Sequence, residues 1–206
     1  MTISEILSEV VAKTGRQDIT NIYQELDATL KSITTRYPFL KSYKSISLSA
    51  SKTEYQISSD FSISFIRAIE EVRNSDNEPI TKAKNLTEYL NYLADLSSGE
   101  PSVYFTYKKV DNNTFYDMFL IAPSPNTTYS LTLYYSLIHP TISVNNTTIL
   151  LDDKFRDLVV CGVVWRVFEG KGVIDKAQVY YVDFERKLAE MISAEENEVY
   201  VVKPQQ

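Results

Sequence analysis

Cysteine and histidine occur once each in this 206-residue sequence, as Cys161 and His139, and that scarcity narrows the possible chemistry at once. A single cysteine permits no disulfide within the chain, which fits assembly in a reducing cytosol. One cysteine and one histidine exclude the usual Cys/His zinc sites. A Ser-His-Asp or Cys-His device would have to use His139, and no nucleophile elbow or matching partner motif accompanies it. His139 stands directly before Pro140 and reads as a strand-end residue. Cys161, set in Val159-Val160-Cys161-Gly162-Val163-Val164, reads as a buried structural thiol. The five glycines, Gly15, Gly99, Gly162, Gly170 and Gly172, form no phosphate-cradling loop.

Basic clusters are missing as well. Twenty-one Lys and Arg stand against 27 Asp and Glu, a net charge of −6, so the footprint that neutralises phosphates is absent. An acidic surface would let nucleic acid pass without holding it. No aromatic–basic interleaving suggests a single-strand platform. The longest apolar run, Leu158 to Val167, is broken by Cys161, Gly162 and Arg166 and is too short to span a bilayer. Met1-Thr2-Ile3-Ser4-Glu5 lacks the basic start of a signal peptide, so a soluble, non-exported chain is expected. Asn126-Thr127-Thr128 and Asn146-Thr147-Thr148 are then polar turns rather than glycan acceptors. Asp152-Asp153 could be a carboxylate pair, but at a helix start Asp152 reads as a cap. Glu70-Glu71 and Glu195-Glu196 read as solvated charge. No catalytic, cofactor-binding or metal-ligating residue is assigned, and no enzymatic role or cofactor is expected. A hydrolase using Asp152 or Asp153 is a remote alternative.

What the chain does have is aromatic residues: 15 Tyr and nine Phe against one Trp. Tyrosine joins apolar area to a hydroxyl, which suits half-exposed sheets and interfaces. It is also a good strand former, so interface and plain sheet both remain open. A chain of this length forms one domain, or one domain with an insertion, and buries about 70% of its unfolded surface.

Periodicity sets the order of elements. Thr2-Ile3-Ser4-Glu5 has capping-box spacing and opens a helix carrying Ile6, Leu7, Val10 and Val11, stopped by Gly15. A second helix runs from about Gln17 to Tyr37 with Ile22, Leu26, Leu30 and Ile33 on one stripe, and Pro38 ends it. Ile46 and Leu48, then Tyr55 and Ile57, predict a hairpin. Ser64–Arg73 leans to strand. Asn85-Leu86-Thr87-Glu88 caps a short helix bearing Tyr89, Tyr92, Leu93 and Leu96. Strands follow from Val103 and from Phe115 to Ala122, joined by the turn Asp111-Asn112-Asn113. Tyr129 to Leu137 is the clearest half-buried strand, with Leu131, Leu133 and Tyr135 facing one way. Two helices close the pattern. Asp152–Glu169 is apolar on most sides, and Val173–Ser193 has Ile174, Ala177, Tyr181, Phe184, Leu188 and Met191 on one stripe. Gly170-Lys171-Gly172 separates them.

The expected fold class is therefore α+β: a helical bundle of residues 1–40 and 150–194, with an inserted antiparallel β-sheet region, 41–149, holding one short helix. Residues 195–206 are expected to form a C-terminal arm. Its apolar patch, Val199, Tyr200, Val201 and Val202, follows an acidic stretch, Ala194 to Glu198. It could pair within its own sheet or add to another subunit's sheet edge or groove.

The order and spacing of several segments resemble the head–tail connector (adaptor) proteins of tailed bacteriophages. The likeness runs through Tyr37-Pro38-Phe39-Leu40 at the exit of the long helix and Leu120-Ile121-Ala122-Pro123-Ser124-Pro125. It continues through Leu131-Thr132-Leu133-Tyr134-Tyr135 and Leu150-Leu151-Asp152-Asp153-Lys154-Phe155-Arg156-Asp157-Leu158-Val159, then Trp165 and Lys176-Ala177-Gln178. The β insertion is larger than in the smallest adaptors. The resemblance implies a virion protein, assembled in the host cytoplasm, that forms a homo-oligomeric (dodecameric) ring on the portal. Such a ring extends the DNA channel without sequence-specific DNA binding and without membrane contact, and it carries tail or neck proteins. It also implies that Val199–Val202 is a docking arm. Another phage neck or tail-completion protein, and more distantly a carbohydrate-binding β module with grouped surface tyrosines, are the competing readings.

Overall fold

The structure, a computed structural model, describes residues 1–197 apart from Gln17 and Leu96, so Val199–Val202 lie outside the described residues. In chain order the elements are α1 (Ile3–Thr14), α2 (Ile19–Arg36), β1 (Lys41–Leu48), β2 (Glu54–Gln56), α3 (Ile57–Asp60) and β3 (Ile66–Arg73). They continue with β4 (Thr81–Lys82), α4 (Leu86–Asp95), β5 (Val103–Asp111), β6 (Thr114–Ala122) and β7 (Tyr129–Leu137). A 3-10 turn (Asp153–Phe155), α5 (Arg156–Gly170) and α6 (Ile174–Asn197) complete the described chain. The class is α+β, and the chain divides into two compact units, one of Met1–Leu40 with the residues from Ile138 onward and one of Lys41–Leu137.

The helical unit is organised around α5. Its residues Leu158 to Val164, Val167 and Phe168 are all buried, as a helix apolar on most sides requires. Helices α1, α2 and α6 share one core with it, through Ile6 and Val10, Leu26, Leu30 and Ile33, and Ala177, Phe184 and Leu188. At Gly162 the backbones crowd: a Cβ there would lie 2.5 Å from Thr29 Cγ2 and 3.0 Å from the Phe184 ring. The helix ends follow local chemistry. The Thr2 N–H donates to Glu5 Oε2 at 2.8 Å and the Glu5 N–H to Thr2 Oγ1 at 3.3 Å, closing the expected capping box. Gly15 at φ 65° stops α1, and extended Tyr37 before Pro38 stops α2. Between α5 and α6 the chain reverses at Gly172, φ 70°, whose N–H donates to the Glu169 carbonyl.

Two expectations fail here. Asp152 makes no side-chain cap; it precedes a 3-10 turn, and its carbonyl accepts from the Phe155 N–H at 3.1 Å. Helix α6 runs to Asn197 rather than ending near Ser193, and Glu195 pairs with Lys154, so Ala194–Asn197 is helix and not linker. An acidic run reads as solvated in sequence because the cation that partners it is 41 residues away.

The β unit contains two sheets where one was expected. The first is antiparallel in the order β1-β7-β3, and the second has the order β2-β6-β5-β4. The short β4 lies parallel to β5, so the unit is not purely antiparallel. Strands β1 and β2 do not form the expected hairpin: Leu48 pairs with Tyr129 and Tyr55 with Phe119, in different sheets. The turn itself exists, with the Lys52 N–H donating to the Ser49 carbonyl, but the chain changes sheet as it passes. Ile57 opens the one-turn α3 instead of extending a strand, so the unit has two helices rather than one. Residues from both sheets, among them Leu48, Val72, Leu131 and Leu133 with Phe119 and Ile121, form one core. On the other face of the second sheet, Tyr89 of α4 packs with Val103, Met118 and Leu120, and its hydroxyl donates to the Ile121 carbonyl at 3.1 Å. The leaning to strand over Ser64–Arg73 becomes β3, which carries bulges near Arg67 and Glu70.

Candidate interaction surfaces

His139 and Cys161 are closed off by their surroundings. His139 is fully buried just after β7. Its backbone N–H donates to Thr34 Oγ1 at 2.9 Å, and its Nε2 accepts the Leu150 N–H at 3.0 Å. That leaves the proton on Nδ1, donated to the Pro140 carbonyl at 2.8 Å. The neutral ring thus ties Pro140 to Leu150 while the backbone of the same residue is anchored to α2, and burial pushes the ring's pKa below the usual histidine value. Sequence reading placed it at a strand end but missed this role, because its partners Thr34 and Leu150 are distant in the chain. Cys161 is buried, donates to Asp183 Oδ2 at 3.2 Å and has its pKa pushed up to about 12 by burial. A thiol held protonated is a poor nucleophile. Asp152 and Asp153 assemble no ligand set; among the described residues no group of three or more His, Cys, Asp or Glu side chains could hold a metal ion. Glu70 and Glu71, expected as solvated charge, do reach solvent and also take partners: Glu70 accepts from Ser136 Oγ at 2.6 Å, and Glu71 pairs with Arg73 at 2.9 Å.

The unpartnered apolar surface is where contact could occur. In the helical unit an open groove of about 940 Å³ runs beside α1, lined by Leu7, Ser8, Val11, Tyr23 of α2, Thr148 and Ile149 among others. Its lining among the described residues includes no Asp, Glu, Lys or Arg side chain. On α6, Val179 is 67% and Val182 55% exposed, and both lie off the buried stripe. Ile174, assigned to that stripe from the sequence, is instead 63% exposed. The signal for this face was present in the sequence as Val179 and Val182 three residues apart, outside the stripe that satisfies the core.

In the β unit the β5–β6 hairpin continues past its neighbours. β2 covers only Met118–Leu120 of β6, and β4 only Val103–Tyr104 of β5, so residues 108–117 form a two-stranded projection. Near its tip Val110 and Phe115 face each other in register, 58% and 70% exposed. The turn uses Asn112 and Asn113 at φ 47° and 60°, a pair of left-handed residues that closes a tight hairpin. Tyr55, Tyr89, Tyr104 and Tyr135 are buried while most of the other described tyrosines are half-buried, and burial pushes the Tyr104 hydroxyl up to about 12. Tyr43, which pairs with Tyr134 at 6.0 Å between ring centres, is the one mostly exposed tyrosine among the described residues. No described helix is long and apolar enough to cross a membrane.

Comparison with known proteins bears on what these surfaces serve. No curated protein matches the chain. A family model described as SU10 adaptor protein matches residues 1–204, spanning both compact units. The match agrees with the likeness to phage head–tail connectors carried by Tyr37–Leu40, Leu120–Pro125 and Leu150–Val159. By this match over nearly all of its length the chain, with His139 and Cys161 buried and apolar surface open on both units, belongs to the SU10 adaptor protein family, a family of phage structural proteins.

Proposed function

We propose that the chain is the subunit of a head-to-tail adaptor ring that docks on the portal, extends the DNA channel and offers the attachment platform for tail or neck proteins. The observation that carries this reading is the family match across residues 1–204. Two further features support it. Exposed apolar side chains remain on both units, among them Val179 and Val182 and, at the hairpin tip, Val110 and Phe115, and the net charge of −6 suits a channel through which DNA moves without being held. In this reading the helical unit builds the ring and the β unit, with its projecting hairpin, meets tail components. The ring is a dodecamer, assembled in the host cytoplasm and carried in the virion. Val199, Tyr200, Val201 and Val202 form the docking arm that engages the portal.

A pull-down with the cognate portal tests the arm. Deleting residues 198–206 leaves all described helices intact, so the variant should fold normally and be captured less. Capture equal to that of the full chain would contradict the assignment of the arm. Capture by tail components with none by the portal would favour a neck or tail-completion protein instead.

A further inference from the structure

We infer that His139 is an acid-released latch: protonation of its Nε2 frees residues 143–150, and with them the wall that Thr147, Thr148 and Ile149 give the groove beside α1. This limb of the chain lies between two anchors, Ile142 and Leu151, both buried in the helical core. Between them no residue from Ser143 to Leu150 is buried. Its polar ties are as few. Ser143 and Asn146 pair with each other through their backbones, and Asn146 Nδ2 donates to the Thr141 carbonyl at 2.6 Å. Those bonds stay inside the loop. Among the described residues, the Leu150 N–H to His139 Nε2, at 3.0 Å, is the one hydrogen bond that fastens residues 143–150 to the chain outside 141–150. The other end of the loop is held separately on α2. There Asp27 Oδ1 accepts the Ile142 N–H at 2.9 Å, and Lys31 Nζ donates to Thr141 Oγ1 at 2.9 Å.

The protonation state decides whether the tie can exist. In the neutral ring Nδ1–H donates to the Pro140 carbonyl, and Nε2 keeps a lone pair for Leu150. An imidazolium has two N–H donors and no acceptor. A proton taken from solvent onto Nε2 therefore sets N–H against N–H, and the tie is lost. The same proton puts a charge on a fully buried ring, and lifting the limb lets water solvate it. The charged groups that act on the ring are Asp27 and Lys31, both on α2 and opposed: Asp27 favours the proton and Lys31 resists it. Residues 138–151 carry no titratable side chain besides His139, so the loop has one proton-sensitive point. With the limb lifted the ring titrates near 6.5, whereas burial keeps it lower while the limb is closed. Opening thus takes up a proton and grows as pH falls below 6.5, by at most about tenfold per pH unit. The limb has no buried side chain to expose, so its opening precedes unfolding of the unit.

Amide hydrogen exchange of the full chain between about pH 7.5 and 5.5 tests the latch, each rate being divided by that of an unstructured peptide at the same pH. Below 6.5 the protection of the Leu150 amide should fall by up to about tenfold per pH unit. Amides in the middle of α5, such as that of Val163, should keep theirs. The chain has one histidine, so its imidazole nitrogen resonances should report protonation of Nε2 over the same range. His139→Gln keeps an acceptor and a donor but takes up no proton, and its Leu150 protection should not change with pH. Protection at Leu150 that stays constant in the parent, or falls only in step with Val163, would overturn the inference. So would a fall that persists in folded His139→Gln, since another group would then be responsible. Should that variant fail to fold, the parent's exchange and imidazole resonances decide the matter alone.

Discussion

The helical unit leaves apolar surface along α6 and in a groove beside α1, whereas the β unit leaves it at separate points: Tyr43 on β1, Phe65, Leu86 and Leu90 on α4, and Val110 with Phe115 at the hairpin tip. The difference follows from how each core is built. Helices arranged around α5 bury Leu158 to Val164, Val167 and Phe168, but α6 needs only one stripe for that core, and Val179 and Val182 remain outside. In the β unit two cores flank the second sheet, one shared with the first sheet and one with α4. Most side chains of β5 and β6 are used there, until the strands outrun their neighbours at Val110 and Phe115.

The largest expected effect tests whether the two cores are separate sources of stability. Phe184 and Phe119 are both fully buried, one in each unit. Truncation of either to alanine should cost about 3–5 kcal/mol. Hydrogen exchange should rise first over the unit that carries the substitution; an identical rise over both units would break the comparison. The glycines sharpen it. Gly162→Val drives a side chain into Thr29 and Phe184 and should cost about 1–3 kcal/mol by denaturant titration. Gly99→Ala, in the β unit, meets open space and should stay within about 0.5 kcal/mol.

Acidification should separate the units next. Burial lowers the folded-state pKa of His139 below the value of 6.5 for a free histidine. As pH falls below 6.5 the unfolded chain therefore binds a proton that the folded chain resists, and stability declines. Above that value the ring is neutral in both states and this contribution vanishes. His139→Leu leaves the Leu150 N–H without its acceptor, which should cost about 1–3 kcal/mol at neutral pH. Between about pH 7.5 and 5.5 the variant should lose less stability than the parent; an equal loss in both would remove His139 from the account. The smallest effect on stability belongs to the hairpin tip. Val110→Ser with Phe115→Ser should shift unfolding by less than about 0.5 kcal/mol, yet weaken capture of tail or neck proteins. Unchanged capture would deny the tip a role in contact.

Much of the helical unit was legible because helix signals are local. The Thr2–Glu5 box, the Gly15 stop, the Pro38 exit and the Gly170–Gly172 break all lie within a few residues of what they control. The β unit was legible only strand by strand. Ile46, Leu48 and Tyr55 alternate as strands should, but alternation says nothing about partners, and their partners Leu131, Tyr129 and Phe119 lie 64 to 85 positions away. Asp152 looked like a cap because caps are acidic, and the 3-10 turn that displaced it leaves no mark in composition. His139 shows the same limit at a single residue, since the Leu150 N–H that fixes its tautomer and the Thr34 hydroxyl that anchors its backbone are brought to it only by the fold. Val179 and Val182 could have been noticed as apolar residues that the α6 stripe does not need. What surface they meet is a property of the folded unit.

The central claim, a subunit whose work is ring-forming contact at the portal, is tested most directly by imaging the purified chain mixed with cognate portal rings. The account predicts a closed ring of this protein seated on the portal with its axis shared and its bore open. Portal rings that stay bare at every protein concentration, while the chain remains folded and monodisperse beside them, would contradict it.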